Sequence, residues 1–230
     1  MDPKRIAELL SPFVTKEVSP EPKDLSFRTG SSPEESAVLS PRQLDFIATY
    51  IDILLRWNAR INLTAVRQSE EIVTRHFGES IFAARCLFPH PPTAAQHLID
   101  LGSGAGFPGL PIKILLPELT LTLIEANQKK ATFLREVVRA TALENVTVFS
   151  GRGESYTGER GDIVTLRAVE QFEKALPIAT GLVAPHGRLA LLIGNAQASK
   201  PKLLCPDFSW SDGIPVPRSN HRIVLIGSRT

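Results

Sequence analysis

The chain is poor in cysteine. Only Cys86 and Cys205 occur in 230 residues, and neither belongs to a Cys-x-x-Cys pair. This excludes a disulfide-built scaffold and a zinc site of paired thiolates, and it fits a reducing compartment. No stretch approaches the ~18 apolar residues of a membrane-spanning helix. The first 30 residues also lack the apolar core of an export signal. The expectation is a cytoplasmic protein that engages no membrane. Nor is one sign of charge in excess: 26 Lys and Arg stand against 24 Asp and Glu, a net charge of +2. Residues 1–40 hold two more acids than bases, so the remainder is mildly basic, which is compatible with a polyanionic partner but not diagnostic of one. Internal repeats and low-complexity tracts are missing. Asn62-Leu63-Thr64 fits a glycosylation sequon, which carries no meaning in a reducing compartment.

What the chain does have is a glycine-rich turn. Residues 97–110 read HLIDLGSGAGFPGL. The run His97-Leu98-Ile99 predicts a short buried strand ending at an acid, Asp100. Gly102, Gly104 and Gly106 follow at alternate positions, and the segment from Leu110 to Leu116 has helical spacing. Strand, tight glycine turn and helix N-terminus together let a ligand approach the main chain at the carboxyl end of a strand. Two cofactor classes fit. Gly104-x-Gly106-x-x-Gly109 matches the dinucleotide fingerprint. Asp100-x-Gly102-x-Gly104-x-Gly106 matches the first motif of S-adenosylmethionine (AdoMet) methyltransferases. The second includes the acid and begins at the strand end, which favours it.

The rest of the chain organises around that turn. Residues 1–39 read as a flexible extension, with one or two helical turns over 3–10 and a Pro- and Ser-rich linker over 19–36. Residues 40–92 read as a helical accessory region. Ser40-Pro41 starts a helix ending near Trp57-Asn58, and a second runs from about Glu70 to Leu87 with Ile72, Val73, Phe77, Ile81 and Ala84 as its apolar stripe. From 93 to 230 strands and helices alternate, with strands over 119–125, 146–149, 162–166, 188–193 and 222–227 and a possible edge strand at 208–210. This predicts an α/β fold of the Rossmann-like, class I AdoMet-dependent type: a mostly parallel, seven-stranded sheet with helices on both faces, preceded by two N-terminal helices.

Three further positions belong to the expected crevice. Glu125 ends the second strand, where a carboxylate can accept hydrogen bonds from both ribose hydroxyls. Gly153 and Glu154 follow the third strand, where a polar group can meet an adenine edge. Arg167 ends the fourth, where the reactive end of the cofactor belongs.

These residues also carry a resemblance. Arg56-Trp57-Asn58, Asn62-Leu63-Thr64, Arg75-His76, the DLGSGAGFPG loop, Glu125 with Lys129-Lys130 and Phe133-Leu134, the Arg152-Gly153-Glu154 turn and Arg167-Ala168 resemble the bacterial 16S rRNA guanine-N7 methyltransferase family (RsmG, or GidB) over roughly residues 40–227. The resemblance implies methyl transfer from AdoMet to N7 of a guanosine in small-subunit rRNA; separately, a monomer is expected. It implies that Gly102, Phe107, Gly153, Glu154 and Arg167 touch the cofactor. Arg75, His76, Lys129 and Lys130 are the candidates for contact with 16S rRNA or the small subunit. No general base is required, because guanine N7 has no proton to lose; Arg167 serves to position. No metal is expected. The chain departs from the family at Ile193-Gly194, where a Lys before the glycine is expected, and at Glu79-Ser80, where Asp-Ser is usual.

Absent motifs agree with this. The Asn/Asp-Pro-Pro-aromatic tetrapeptide of amino-group methyltransferases does not occur, and Cys205-Pro206 reverses the Pro-Cys order of C5-pyrimidine enzymes. Two other readings remain open at this point: an NAD(P)-dependent oxidoreductase, which lacks a Tyr-x-x-x-Lys motif, and a non-catalytic RNA-binding or ribosome-assembly protein.

Overall fold

A computed structural model describes residues 1–14, 39–90, 92, 94–167 and 172–230. The linker expected over 19–36, and Ala168 of the Arg167-Ala168 pair, lie outside the described residues.

The sheet has the order β3-β2-β1-β4-β5-β8-β6. Its strands are β1 (His97–Leu101), β2 (Thr120–Glu125), β3 (Val146–Ser150), β4 (Gly161–Arg167), β5 (Val183–Gly194), β6 (Phe208–Trp210) and β8 (Arg222–Arg229). A two-residue strand, β7 (Ile214–Pro215), pairs with β8 and is the eighth. β1 to β5 run parallel, and β8 pairs antiparallel with β5 and β6. Strand order reverses at β1, between β2 on one side and β4 on the other, and an open α/β sheet forms its ligand crevice at such a point. β5 begins earlier than expected: Val183 pairs with Gly161, and the register is irregular before Ile163 meets Arg188.

Alternation along the strands assigns the two faces. Leu98, Leu121, Leu123 and Ile163 join one buried cluster; Ile99, Ile124, Val164 and Leu166 join the other. The first face packs against α5 (Gly109–Leu115) and α6 (Gln128–Ala140), on which α2 (Pro41–Asn58) packs in turn, and the second against α7 (Phe172–Leu182). α8 (Ser199–Leu204) packs on α7. α2 starts as its sequence requires. Ser40 Oγ accepts from Gln43 N at 3.3 Å and Gln43 Oε1 accepts from Ser40 N at 2.8 Å, a reciprocal cap with Pro41 in the first turn.

Two expectations change. Residues 3–14 are not a flexible extension: they form α1 (Pro3–Val14), with Ile6, Leu10 and Phe13 no more than 1% exposed. The 6, 9, 10, 13 spacing gives the helix one apolar stripe. The second accessory helix is continuous over 69–87 but changes winding, from α3 (Ser69–Ile72) through a π-helical segment (Val73–Gly78) into α4 (Glu79–Leu87). Phe13 crosses Gly78 so closely that a Cβ there would lie 2.6 Å from its ring. Residues of α1, α2, the π segment and α4 share one core cluster with the sheet's first face. Phe13→Ala should lower the unfolding free energy by about 3–5 kcal/mol; urea titration of both proteins checks it.

Candidate active site

The loop after β1 is shaped by three positive φ values, +69° at Gly102, +56° at Gly104 and +87° at Gly106. A Cβ at Gly102 would meet nothing within 4 Å, so this backbone is open to a ligand. Gly106 faces the opposite way, where a Cβ would strike Tyr50 and Leu110. Tyr50, wholly buried on α2, donates its hydroxyl to Ala105 O and so ties the loop to the helical layer.

Asp100 sits beneath the loop rather than in it. It is 1% exposed, and its oxygens accept from Thr165 Oγ1 at 2.7 Å and Gly109 N at 3.3 Å. A Cβ at Gly109 would lie 2.8 Å from Asp100 Cβ, so glycine is required where α5 crosses the acid. Burial pushes the Asp100 carboxyl up to about 6, against the pull of its hydrogen bonds from Thr165 and Gly109. The expected cofactor contact becomes a support of the loop, as it does for Gly106.

Glu125 reaches the loop from β2. Oε2 accepts from Gly104 N at 2.8 Å and Oε1 from Asn127 N at 2.7 Å. One carboxylate thus joins the β1 and β2 loops, and each oxygen keeps a further lone pair. The turn after β3 is tied to the same residue by Gly151 N, which donates to Glu125 O at 3.1 Å. Gly153 and Glu154, one 3-10 turn further on, do not line the cleft. A Cβ at Gly153 would meet Leu101 and Ile178, so this glycine packs the turn against the sheet.

The cleft, of about 360 Å³, is bounded by residues 102–105 and Phe107, by Glu125 and Lys130, by Leu63 to Val66, and by Arg75, His76, Arg167 and Arg222. Arg167 and Glu125 therefore open on one space at the carboxyl ends of β4 and β2. Phe107 lines it too. Its faces are covered by Tyr50, with centroids 5.3 Å apart, and His76, 4.7 Å apart. Lys129 lies elsewhere, in a groove with Arg56, Trp57, Arg60 and Glu136.

Arg167 is the hub. Its Nη2 donates to Arg75 O at 2.9 Å and to His76 Nδ1 at 2.8 Å, and lies 3.1 Å from Glu79 Oε2. Arg222 Nε approaches the same Glu79 oxygen at 3.2 Å. The Arg167 and Glu79 side chains are 8% and 5% exposed. Burial lowers the Arg167 guanidinium to about 10, so it stays charged at neutral pH. His76 Nε2 lies 2.8 Å from Thr64 Oγ1. Burial first, then Arg167, Arg75 and Arg222, depress its pKa to about 3. The imidazole is therefore neutral where it lines the cleft. Arg75 is exposed and pairs with Glu71 at 2.6 Å. Sequence reasoning singled out neither Glu79 as a charge partner nor Arg222 as a cleft residue.

A family model described as GidB, rRNA small subunit methyltransferase G, matches residues 43–210. The chain belongs to this family. The GidB match includes the glycine loop, Glu125, Arg167, His76 and Thr64. The chain is 43% identical over 167 residues to the ribosomal RNA small subunit methyltransferase G of Roseiflexus sp. (strain RS-1), covering 70% of each sequence. To the protein of the same name from Bacillus subtilis (strain 168) it is 37% identical over 169 residues, covering 71% of this chain and 70% of the relative. Among solved structures, it is similar to the ribosomal protein L11 methylase of Lactobacillus delbrueckii subsp. bulgaricus, with a TM-score of 0.56, 13% identity and coverage of 68% and 79%. The structure titled MtNAS in complex with MTA and tNA gives a TM-score of 0.58, 14% identity and coverage of 82% and 70%. The fold is that of the class I methyltransferases, as expected. The oxidoreductase reading finds no support.

Asp100 yields a pH test with a definite sign. Its native pKa of about 6 exceeds the ordinary 3.8, so the folded state holds the proton more tightly than the unfolded one. Stability from this group is greatest at low pH and falls as pH rises between those values. The wild-type minus Asp100→Asn difference in unfolding free energy should therefore drop by on the order of 3 kcal/mol between about pH 4 and pH 7. Urea unfolding of both proteins across that range measures it.

Proposed function

We propose that this protein transfers a methyl group from AdoMet to N7 of a guanosine in 16S rRNA, acting as a monomer on the RNA or the small subunit. The observation that carries the reading is the convergence of open backbone at Gly102, the Glu125 carboxylate and the buried Arg167 on one cleft at the strand-order reversal.

The residues present suit the cofactor. Gly102 and Gly104 offer close backbone approach. Glu125 keeps lone pairs for ribose hydroxyls. Arg167 Nη1 is buried with no partner among the described residues, and a buried donor of that kind needs an acceptor; the methionine carboxylate of AdoMet is one. When bound, AdoMet supplies an activated methyl: the N7 lone pair bonds to its carbon while the C–S pair returns to sulfur, leaving a neutral thioether and a cationic guanine. The protein's own contribution is placement. No proton leaves N7, and among the described residues the cleft holds no free base. His76 Nδ1 is occupied by Arg167, and both Glu125 oxygens hold backbone N–H groups. An exocyclic amine would need such a base; N7 does not. Lys130 and Arg222 at the cleft, and Lys129 with Arg56 and Arg60 in the second groove, suit phosphate contact.

Mapping N7-methylguanosine on 16S rRNA from cells with and without this protein tests the reading. One guanosine should lose its methyl when the protein is absent. An unchanged map would leave the non-catalytic RNA-binding role. Glu125→Ala should weaken AdoMet binding by one to two orders of magnitude, from roughly 1.5–3 kcal/mol of lost charged hydrogen bonds. Isothermal titration checks this, and unchanged affinity removes Glu125 from the ribose.

A further inference from the structure

One donor is left over in the network around Thr64. A guanidinium has no lone pair to accept with, so the contact between Arg167 Nη2 and His76 Nδ1 has a single polarity: Arg167 donates. Nδ1 therefore carries no proton, and the N–H of the neutral ring is on Nε2. That nitrogen donates to Thr64 Oγ1. The backbone N–H of Val66 donates to the same oxygen at 3.1 Å. A hydroxyl has two lone pairs and one hydrogen. Both lone pairs are taken, and the hydrogen has no acceptor among the described residues. Thr64 lines the cleft with Gly102, Phe107 and Arg167. The loop that carries it is itself fixed: Asn58 Oδ1 accepts from Leu63 N and Thr64 N, and Asn58 Nδ2 donates to Thr64 O.

We propose that the Thr64 hydroxyl donates to O6 of the target guanine and so selects the base, with His76 as the positioning residue that fixes the direction of that donor. The proposal rests on the function argued above. Guanine presents two acceptors on its exposed edge, N7 and O6, whereas adenine presents N7 and an amino donor. N7 must keep its lone pair for the methyl, so the base has to be held through O6. A group that can only donate accepts guanine there and meets adenine donor to donor. Charge points the same way. The purine becomes a cation as N7 is methylated. A neutral hydroxyl at O6 adds no repulsion as that charge develops, and a guanidinium would. Arg167 is turned instead towards Glu79, Arg75 O and His76.

The test uses the intact protein and small subunits reconstituted with 16S RNA that carries guanosine, inosine or 2-aminopurine riboside at the mapped nucleotide. Inosine keeps O6; 2-aminopurine lacks it and keeps N7. Wild type should favour guanosine and inosine over 2-aminopurine by roughly 10- to 100-fold in kcat/KM. Thr64→Val, which matches the shape without the hydroxyl, should bring that ratio close to one while calorimetric AdoMet affinity stays within about twofold, which also shows that the variant folds. Thr64→Ser should restore the ratio. His76→Leu should lower it as well, and the wild-type rate should show no titration near the ordinary histidine pKa of about 6.5. Equal slowing of guanosine and 2-aminopurine by Thr64→Val overturns the proposal. So does a loss of AdoMet affinity as large as the loss of rate, which would assign the hydroxyl to the cofactor. A wild type that methylates no guanosine defeats the parent function, and that result is seen before any variant is compared.

Discussion

One guanidinium joins the two halves of this structure. Arg167 leaves the end of β4 and is taken out of water against residues 75 to 79, where it meets a backbone carbonyl, an imidazole nitrogen and a carboxylate. Burying a charge costs several kcal/mol unless it is paired and hydrogen-bonded. The helical layer supplies that pairing from adjacent turns of one helix, so the cation and the layer hold each other in register. Burial first, and then the charge of Arg167 with Arg75 and Arg222 nearby, holds the pKa of His76 down, so the ring stays neutral beside the guanidinium. Glu79 serves two arginines with one oxygen, which leaves the cleft positive on balance.

The opposite wall is built from a carboxylate in the same manner. Glu125 holds one N–H from the first loop and one from the second, and its own carbonyl holds the third. Below it Asp100 fixes where α5 starts. Tyr50 then ties the loop back to α2. The loops after β1, β2 and β3 are thus fastened to their neighbours by polar contacts, and loop backbone at a crevice can be held open only if its shape is set elsewhere.

Much of this was legible in the sequence, for identifiable reasons. Glycines at alternate positions after an apolar run have few uses other than a turn with positive φ, and Gly102, Gly104 and Gly106 all have it. Glu125 and Arg167 follow apolar strands, so their place at the sheet edge was fixed by strand length. Two features were hidden. The helix over 69–87 has two buried faces. Phe77, Ile81 and Ala84 turn towards the helical layer, while Phe82 and Ala83 turn towards Leu192 and Val224. Glu79 shares the second face, three and four residues before Phe82 and Ala83. On a wheel drawn for one stripe it falls on the solvent side. α1 was under-read because twelve residues with an internal proline make a weak helix in isolation; packing on the π segment and α2 stabilises it instead.

The roles that changed share one physical cause. Asp100, Gly106 and Gly153 belong to motifs that surround a ligand, and sequence proximity alone places them at its surface. A loop tight enough to present backbone must also have an underside, and the residues facing inward are as constrained as those facing out. Asp100 is held by Thr165 and Gly109, Gly106 lies under Tyr50, and Gly153 lies against Leu101. In this strand-turn-helix segment the residues divide between the two surfaces: Gly102 opens on the cleft and Gly106 faces Tyr50. A recurring pattern therefore records the sum of both constraints, and only the direction of each Cα–Cβ bond separates them. His76 makes the same point from the helical side. A histidine beside an arginine reads as a basic pair, yet the two point apart: Arg75 reaches solvent and Glu71, while His76 turns inward to accept from one cation and donate to Thr64.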